Sequence, residues 1–174
     1  MSKFIIDKLH SEIEFKVKHL MISTVTGRFT DFDAEIISDT DDFTDAQITF
    51  DANVDSVTTN IADRDNHLKS ADFFDVENFP KISFKSTEIV KYNKDYHVIG
   101  LINIHGVENE VTLMGDYNGN DVDLYGNTKY GFELRGVIKR SEFGLSFNAV
   151  TDKGGLLVSD DVILNVSVQF TKAD

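Results

Sequence analysis

Apolar and polar residues alternate along most of this chain. Between residues 46 and 55 every even-numbered position is apolar and every odd-numbered position is polar. A similar alternation runs through 13–19, 132–139 and 162–171. Successive side chains of a β-strand point to opposite faces, so each of these segments has one apolar and one polar face. The pattern is typical of antiparallel sheets that cover a core with one face.

The chain contains enough such segments to build a large sheet. Further strands are predicted near 4–7, 27–37, 82–92, 96–104, 108–117 and 122–129, with turns at 92–96 and 118–119. Eight or more strands of this kind form a barrel or a sandwich. In a closed eight-stranded barrel they would enclose a tall interior, which is either filled by side chains or holds one small ligand. No linker or repeat interrupts the pattern, so a single domain over 1–174 is predicted.

One segment, 60–74, departs from the alternation and is predicted to be a helical insertion between two strands. Asn60 is a suitable N-cap, and acidic residues in a first turn favour the helix dipole. One apolar stripe is formed by Ile61, Leu68 and Ala71. We expect this helix to cover one end of the sheet and to bring Phe73 and Phe74 to it.

Composition and charge exclude several classes of function. The chain has 30 acidic and 17 basic residues, a net charge of -13, and no cysteine. The absence of cysteine excludes disulfides, thiolate catalysis and cysteine-ligated metal centres. The acidity repels nucleic-acid phosphates and anionic membrane surfaces, so we expect no nucleic-acid partner.

The N-terminal segment lacks the apolar run of a signal peptide, and no window is long and apolar enough for a transmembrane helix. We therefore expect a cytoplasmic protein without stable membrane insertion.

Catalytic and metal sites are not indicated. His10 and Ser11, with Asp7 nearby, resemble a triad only superficially, because neighbours in a strand point to opposite faces and no Gly-x-Ser-x-Gly turn is present. The five histidines lack the close spacing that preorganises a metal site. We predict that the protein is not an enzyme and uses no cofactor or metal.

A set of polar residues around the predicted helix and the strand ends allows two interpretations. They form a latch that fixes the helix to the barrel rim, with Asp160 as a further partner, or they contact the polar head of a ligand. These polar rim residues are His10, Ser11, Arg64, Asp65, His67 and Arg140.

The inward-facing apolar residues are equally open to two interpretations, because periodicity does not separate a filled barrel from a hollow one. They are either core or the lining of a cavity for a long apolar ligand. His19 is the one histidine placed on the inward face. The candidate lining residues are Phe15, Val17, His19, Phe29, Ile48, Phe50, Leu68, Phe73, Phe74, Phe84, Leu101, Phe132, Ile138 and Phe143.

Five motifs, in order along nearly the whole chain, resemble the YceI-like family of polyisoprenoid-binding, lipocalin-like barrels. The motifs are Asp7-x-x-His10-Ser11, Arg64-Asp65-x-His67-Leu68, Phe79-Pro80-x-Ile82-x-Phe84, Gly100-Leu101 with Ile104 and Gly106, and Arg140-Ser141-Glu142-Phe143-Gly144.

The resemblance implies an eight-stranded antiparallel, lipocalin-like β-barrel closed at one end by a short helix. It implies a lumen that holds a polyisoprenoid, a prenyl quinone or a fatty-acid-type lipid for carriage or storage, without catalysis. The alternative is a non-catalytic, stress-related interaction module with a filled core. A homodimer stays open, since some barrels of this kind pair.

Overall fold

The computed structural model describes residues 1–149 and 157–173. Within these ranges the chain forms eleven strands in one sheet and one α-helix. The strands are β1 Ser2–Ile6, β2 Glu12–His19, β3 Ser23–Phe29, β4 Phe32–Ser38, β5 Gln47–Asn53, β6 Val57–Thr58, β7 Lys81–Tyr92, β8 Asp95–Ile104, β9 Val107–Val122, β10 Thr128–Lys139 and β11 Asp161–Lys172. The helix α1 is Ala62–Lys69, and short 3-10 turns occupy Lys8–His10, Val54–Ser56 and Arg140–Phe143.

The sheet closes into an antiparallel barrel with eight wall strands. β1 and β2 are two halves of one wall strand, because β2 pairs with the first part of β11 and β1 with its last part. The same holds for β3 with β4 and for β5 with β6. β7 to β11 each supply a whole wall strand. The predicted eight-stranded barrel is therefore confirmed.

Consecutive wall strands run in opposite directions, so the connections gather at two ends of the barrel. The floor end carries the N terminus, the β4–β5 loop, and the β7–β8 and β9–β10 turns. The cover end carries the β2–β3 turn, α1, the β8–β9 turn and the segment after β10.

The turn predicted at 118–119 and the strand predicted at 122–129 are wrong. β9 continues through Gly119 to Val122, and the chain reverses after it, before β10 begins. Gly119 has a φ of 99° and lies where the β9–β10 register shifts. The Asn-Gly pair thus forms a β-bulge inside a long hairpin. A glycine with positive φ fits a β-bulge as well as it fits a hairpin turn, so the sequence alone did not distinguish the two.

The predicted helix over 60–74 is correct in its place but too long. α1 ends at Lys69, Asn60 has a φ of 66°, and the N-cap is Ile61. The predicted apolar stripe is also wrong in part, because Ile61 and Ala71 are exposed and only Leu68 packs against the core.

Among the described residues, no helix combines the length and the apolar character that crossing a bilayer requires.

Candidate functional site

The barrel encloses a cavity of about 230 Å³. Its wall is built from inward-facing side chains of all the wall strands, together with α1 and the segment that follows it. Among the residues that the structure describes, this lining is aliphatic or aromatic except for Glu14 and Arg140. The interior therefore offers an apolar surface on nearly every side.

Small residues beside large ones keep this space open. Phe15 lies directly across from Gly27, and a Cβ on that glycine would overlap the phenyl ring. Phe84 occupies the same kind of space over Gly100. The two rings therefore lie along the wall, in the space that a side chain at Gly27 or Gly100 would have filled. Ala34 and Ala52 add further room, because they stand opposite Phe50 and Ile82.

An aromatic cluster closes the floor end. Phe43 reaches inward from the β4–β5 loop and is 3% exposed. Its ring centroid is 5.1 Å from that of Phe4, 5.7 Å from Tyr130 and 5.2 Å from Phe132. Edge-to-face packing at these distances is favourable beyond the area it buries. The cluster makes this end a packed plug.

The loop that carries Phe43 is fixed by one carboxylate. Asp45 accepts hydrogen bonds from the hydroxyls of Ser38 and Thr40 and, at 2.7 Å, from the backbone N–H of Asp39. These bonds, the one from Ser38 foremost, hold the pKa of Asp45 far below its ordinary value. An ionised Asp45 therefore stabilises the plug.

At the cover end, hydrogen bonds to Thr59 hold α1. The Asp65 carboxylate accepts from the Thr59 N–H at 2.7 Å and from its hydroxyl at 2.6 Å. Arg64 donates to the Thr59 hydroxyl at 2.7 Å and to its carbonyl at 2.8 Å. Burial opposes the ionisation of Asp65, but the bonds from Thr59 outweigh it and lower its pKa.

Aromatic contacts complete the cover. Phe74 packs over the cavity, with its ring centroid 6.3 Å from Phe15 and 6.0 Å from Phe29. Phe73 lies 5.1 Å from Phe147 and 4.9 Å from His67, centroid to centroid. Phe73 and Phe74 are half-buried, unlike Phe4 and Phe43 at the floor. The cover is therefore the less tightly packed end.

Arg140 is the one cation in the cavity wall among the described residues, and it is 6% exposed. Its guanidinium donates to the carbonyls of Ser159 at 2.9 Å, Leu145 at 2.6 Å, Phe147 at 2.8 Å and Val158 at 3.3 Å. Burial lowers its pKa, and the nearby Asp160 opposes that shift. The side chain ties the segment after β10 to the start of β11.

Most of the predicted lining residues lie in the cavity wall, and their contact with a ligand stays a prediction. These residues are Phe15, Val17, Phe29, Ile48, Phe50, Leu68, Phe73, Phe74, Phe84, Phe132 and Ile138.

Three predicted lining residues do not line the cavity. His19 ends β2 at the rim and is exposed, because the strand runs out before its inward position reaches the lumen. Leu101 is 37% exposed, since Gly100 and Ile102 hold the inward positions of β8. Phe143 is buried but belongs to the 3-10 turn beyond β10, where the strand alternation has stopped.

The predicted polar rim is not one cluster. His10 and Ser11 lie at the junction of β1 and β2, where the His10 ring contacts Asp7 at 2.8 Å and the Ser11 hydroxyl donates to the Asp7 carbonyl at 2.7 Å. His67 contacts Asp72 at 2.9 Å on the cover.

The predicted latch, in which Arg64 and Asp65 pair with Arg140 and Asp160, is wrong. Both helix residues bind Thr59 instead, and Asp160 accepts from the hydroxyl and N–H of Ser141.

Sequence reasoning missed lining residues on the other strands and in two loops. Val98, Ile102 and Ile104 follow the two-residue period of β8, so the alternation alone would have found them. Phe43 and Leu145 lie outside regular strands, where no period marks an inward position.

No group of three or more histidine or acidic side chains in 1–149 and 157–173 is arranged to hold a metal ion.

Comparison with known proteins places this barrel among relatives. Residues 4–170 match the family model described as the YceI-like domain. A UPF0312 protein of Staphylococcus aureus (strain bovine RF122 / ET3-1) is 38% identical over 174 residues, which cover 98% of this chain and 98% of the relative.

Two solved structures share the fold. BcnA of Burkholderia cenocepacia superposes with a TM-score of 0.82 at 22% identity, covering 94% of this chain and 98% of that one. A polyisoprenoid binding domain from Saccharophagus degradans superposes with a TM-score of 0.68 at 13% identity, covering 98% of each chain. The predicted family is confirmed by the family model and the relatives: the chain belongs to the YceI-like family.

Proposed function

We propose that this protein binds the hydrocarbon part of a lipid, a prenyl or acyl chain, inside the barrel and carries or stores it without catalysis. The apolar cavity, held open by small residues in its wall, is the observation that carries the proposal. The likeness to a domain described as polyisoprenoid-binding supports it.

The wall chemistry supports a chain-like ligand of low polarity. Each buried methylene contributes about 0.8 kcal/mol to binding, so a chain binds well without polar contacts. Arg140 donates to four carbonyls, and Glu14 is the one carboxylate in the lining among the described residues. Selectivity would then come from the width and length of the space, which favours flexible chains over rigid rings.

The size of the cavity limits what fits without movement. The space of about 230 Å³ exceeds a cavity of about 150 Å³ that accepts benzene, but pockets for drug-sized ligands span roughly 300–1,000 Å³. A space of this size holds a segment of chain, and we expect a longer chain to require movement of the cover. Because Phe73 and Phe74 are half-buried while the floor is packed, loading would take place at the cover end.

Lipid extraction tests this proposal. The protein, purified without detergent, is extracted with organic solvent, and the extract is analysed by mass spectrometry. Binding of cis-parinaric acid, a fluorescent fatty acid, is then titrated alongside geranylgeraniol as competitor. We expect a co-purifying prenyl or acyl lipid, and competition between the two probes.

Two matched variants test whether the ligand binds in the cavity. Val166→Phe adds volume to the lining, whereas Ser167→Phe adds it on the exposed outer face of the same strand. We expect the first variant to lose probe binding and the second to keep it. A wild-type protein without lipid and without affinity for either probe would reject the proposal and favour the interaction-module hypothesis.

A further inference from the structure

The β2–β3 turn exposes three consecutive apolar side chains, and we call Leu20, Met21 and Ile22 the hairpin tip. Their exposed fractions are 39%, 59% and 79%. A contiguous exposed apolar patch on a soluble domain marks a contact surface more often than single exposed residues do. The hairpin tip therefore requires an explanation beyond folding.

The backbone of the turn makes this choice of residues more unusual. Leu20 and Met21 have φ values of 55° and 59°, and the Ile22 N–H donates to the His19 carbonyl at 3.1 Å. A turn with two central residues of positive φ favours Asn-Gly, because bulky side chains are disfavoured in that conformation. Asn-Gly would make this turn more stable than Leu20-Met21 does, so the stability of the turn does not explain the apolar side chains.

The chain on either side of the hairpin tip carries only basic charges from residue 15 to residue 30, although Arg28 lies farther along β3, directly across from Glu14. No acidic residue occurs between Glu14 and Asp31, while Lys16, Lys18 and Arg28 all lie there. In the part of the chain that the structure describes, none of these three cations joins an ion pair. By contrast, ion pairs are made by Lys3, Lys8, Lys69, Lys81, Lys129 and Lys139.

The hairpin tip stands at the cover end of the barrel. The Leu20 N–H donates to the Leu157 carbonyl at 2.9 Å, and the Lys18 N–H donates to the Ser159 hydroxyl at 2.9 Å. Arg140 binds the Ser159 and Val158 carbonyls from the cavity side. The tip is thus fixed to the segment that borders the cover, at the end where a chain-like ligand would enter.

We infer that the hairpin tip docks on a phospholipid bilayer that contains anionic lipid, which brings the cover end to the source of the ligand. This inference rests on the proposed lipid-binding function. Apolar side chains enter the interface between headgroups and acyl chains, and flanking lysines contact lipid phosphates while their stems cover apolar surface.

The net charge of -13 and the acidic residues at the same end limit the strength of docking. Asp63 and Asp72 on the cover, Glu142 beyond β10 and Asp161 at the start of β11 are exposed and would be repelled by anionic headgroups. Contact is therefore restricted to the hairpin side of the barrel and is reversible, which suits a carrier that must leave the bilayer after loading.

A tryptophan reporter tests the docking, because the natural chain contains none. The full-length Ile22→Trp protein is mixed with vesicles of phosphatidylcholine, alone or with phosphatidylglycerol. We expect a blue shift of its emission with the mixed vesicles that weakens as salt is added. An emission spectrum unchanged by the mixed vesicles would overturn the inference.

The opposite end offers a matched control. Leu124 and Tyr125 are 100% and 88% exposed in the β9–β10 turn, beside acidic residues. We expect Leu124→Trp to show no shift. A shift as large as that of Ile22→Trp would mean general stickiness and would also overturn the inference.

A second variant removes the apolar tip without disturbing the turn. Leu20→Asn with Met21→Gly supplies the residues that such a turn prefers, so the fold is retained. We expect about tenfold weaker sedimentation with mixed vesicles and unchanged binding of cis-parinaric acid in solution. Unchanged sedimentation would refute docking by the tip. Vesicle binding by a wild type that binds no lipid probe would instead refute the proposed function and leave the docking intact.

Discussion

Arg140 shows how a single residue stabilises one end of the barrel. A buried cation is usually paired with a carboxylate, whereas this guanidinium donates to four backbone carbonyls, two at 145 and 147 and two at 158 and 159. The carbonyls of Leu145 and Phe147 lie beyond the end of β10, where no neighbouring strand in the described ranges supplies donors. The Arg140 guanidinium therefore supplies the hydrogen bonds that a sheet partner would have given them.

Replacing Arg140 tests this role. Arg140→Gln leaves several buried acceptors unpaired, so the free energy of unfolding should fall by about 3 kcal/mol. Urea titration followed by circular dichroism measures the change. Arg135→Gln, at an exposed position of β10, should stay within about 0.5 kcal/mol of the wild type. Equal stability of the two variants would contradict the role.

Individual residues were predicted well where a strand period holds and poorly where it ends. Phe15 and Val17 were placed in the lumen from the period of β2, and they lie there. His19 shares that period, but it lies past the rim, and sequence does not show where the rim cuts a strand. Leu101 was predicted to face the lumen, but the alternation of β8 gives the inward positions to Gly100 and Ile102 and leaves Leu101 on the outer face.

At the scale of elements, pairs of strands decide whether the barrel is hollow. The phenyl rings of Phe15 and Phe84 fit into space left by Gly27 and Gly100 on neighbouring strands. Each pair depends on strand register, which a single sequence does not provide. The sequence therefore predicted the phenylalanines but left open whether they fill the core or line a cavity.

Restoring a side chain at Gly27 should narrow the cavity. In Gly27→Ala the phenyl ring of Phe15 must turn inward, because its ring atoms are the nearest neighbours of the added Cβ. Displacing about two methylenes of ligand at ~0.8 kcal/mol each gives about tenfold weaker binding of cis-parinaric acid. Fluorescence titration measures the affinity. Gly131→Ala is the control, since its Cβ would meet only Asn118, at 3.8 Å; equal affinity in both proteins would refute the spacing role.

The helix was predicted from weak local signals, and tertiary contacts determine its ends. α1 buries no residue fully, so it has no strong apolar stripe for sequence analysis to detect. Its position depends on the bonds of Arg64 and Asp65 to Thr59, which lies before the helix. The five residues after it form turns that carry Phe73 and Phe74, which explains why the predicted helix was too long.

For the whole molecule, carboxylates at both ends link stability to pH. The pKa is lowered in the folded state for Asp45 at the floor and Asp65 at the cover. A group whose folded pKa lies below its unfolded value stabilises the fold above the unfolded value. That contribution is lost as pH falls through the folded pKa. The other aspartates with a lowered pKa are Asp7, Asp42, Asp123 and Asp160.

Acid should therefore destabilise the barrel once pH falls below the ordinary aspartate value of 3.8. We expect the urea midpoint to drop progressively from about pH 4 to about pH 2. Asp45→Asn should lower the midpoint at the higher pH and reduce its pH dependence. Asp41→Asn is the control, because Asp41 is exposed and its side chain makes no hydrogen bond within the described ranges. The same pH dependence in wild type and Asp45→Asn would refute the assignment.

The unequal ends of the barrel have a consequence for the order of events. Aromatic rings pack the floor end, whereas Phe73 and Phe74 at the cover end are half-buried, so a ligand of the proposed kind would enter and leave through the cover end alone. A flexible ligand would not pass through the barrel from end to end, so the part that enters first would leave last. One ligand would then have to dissociate completely before the next could bind, and the last part of each ligand to enter would always lie at the cover end.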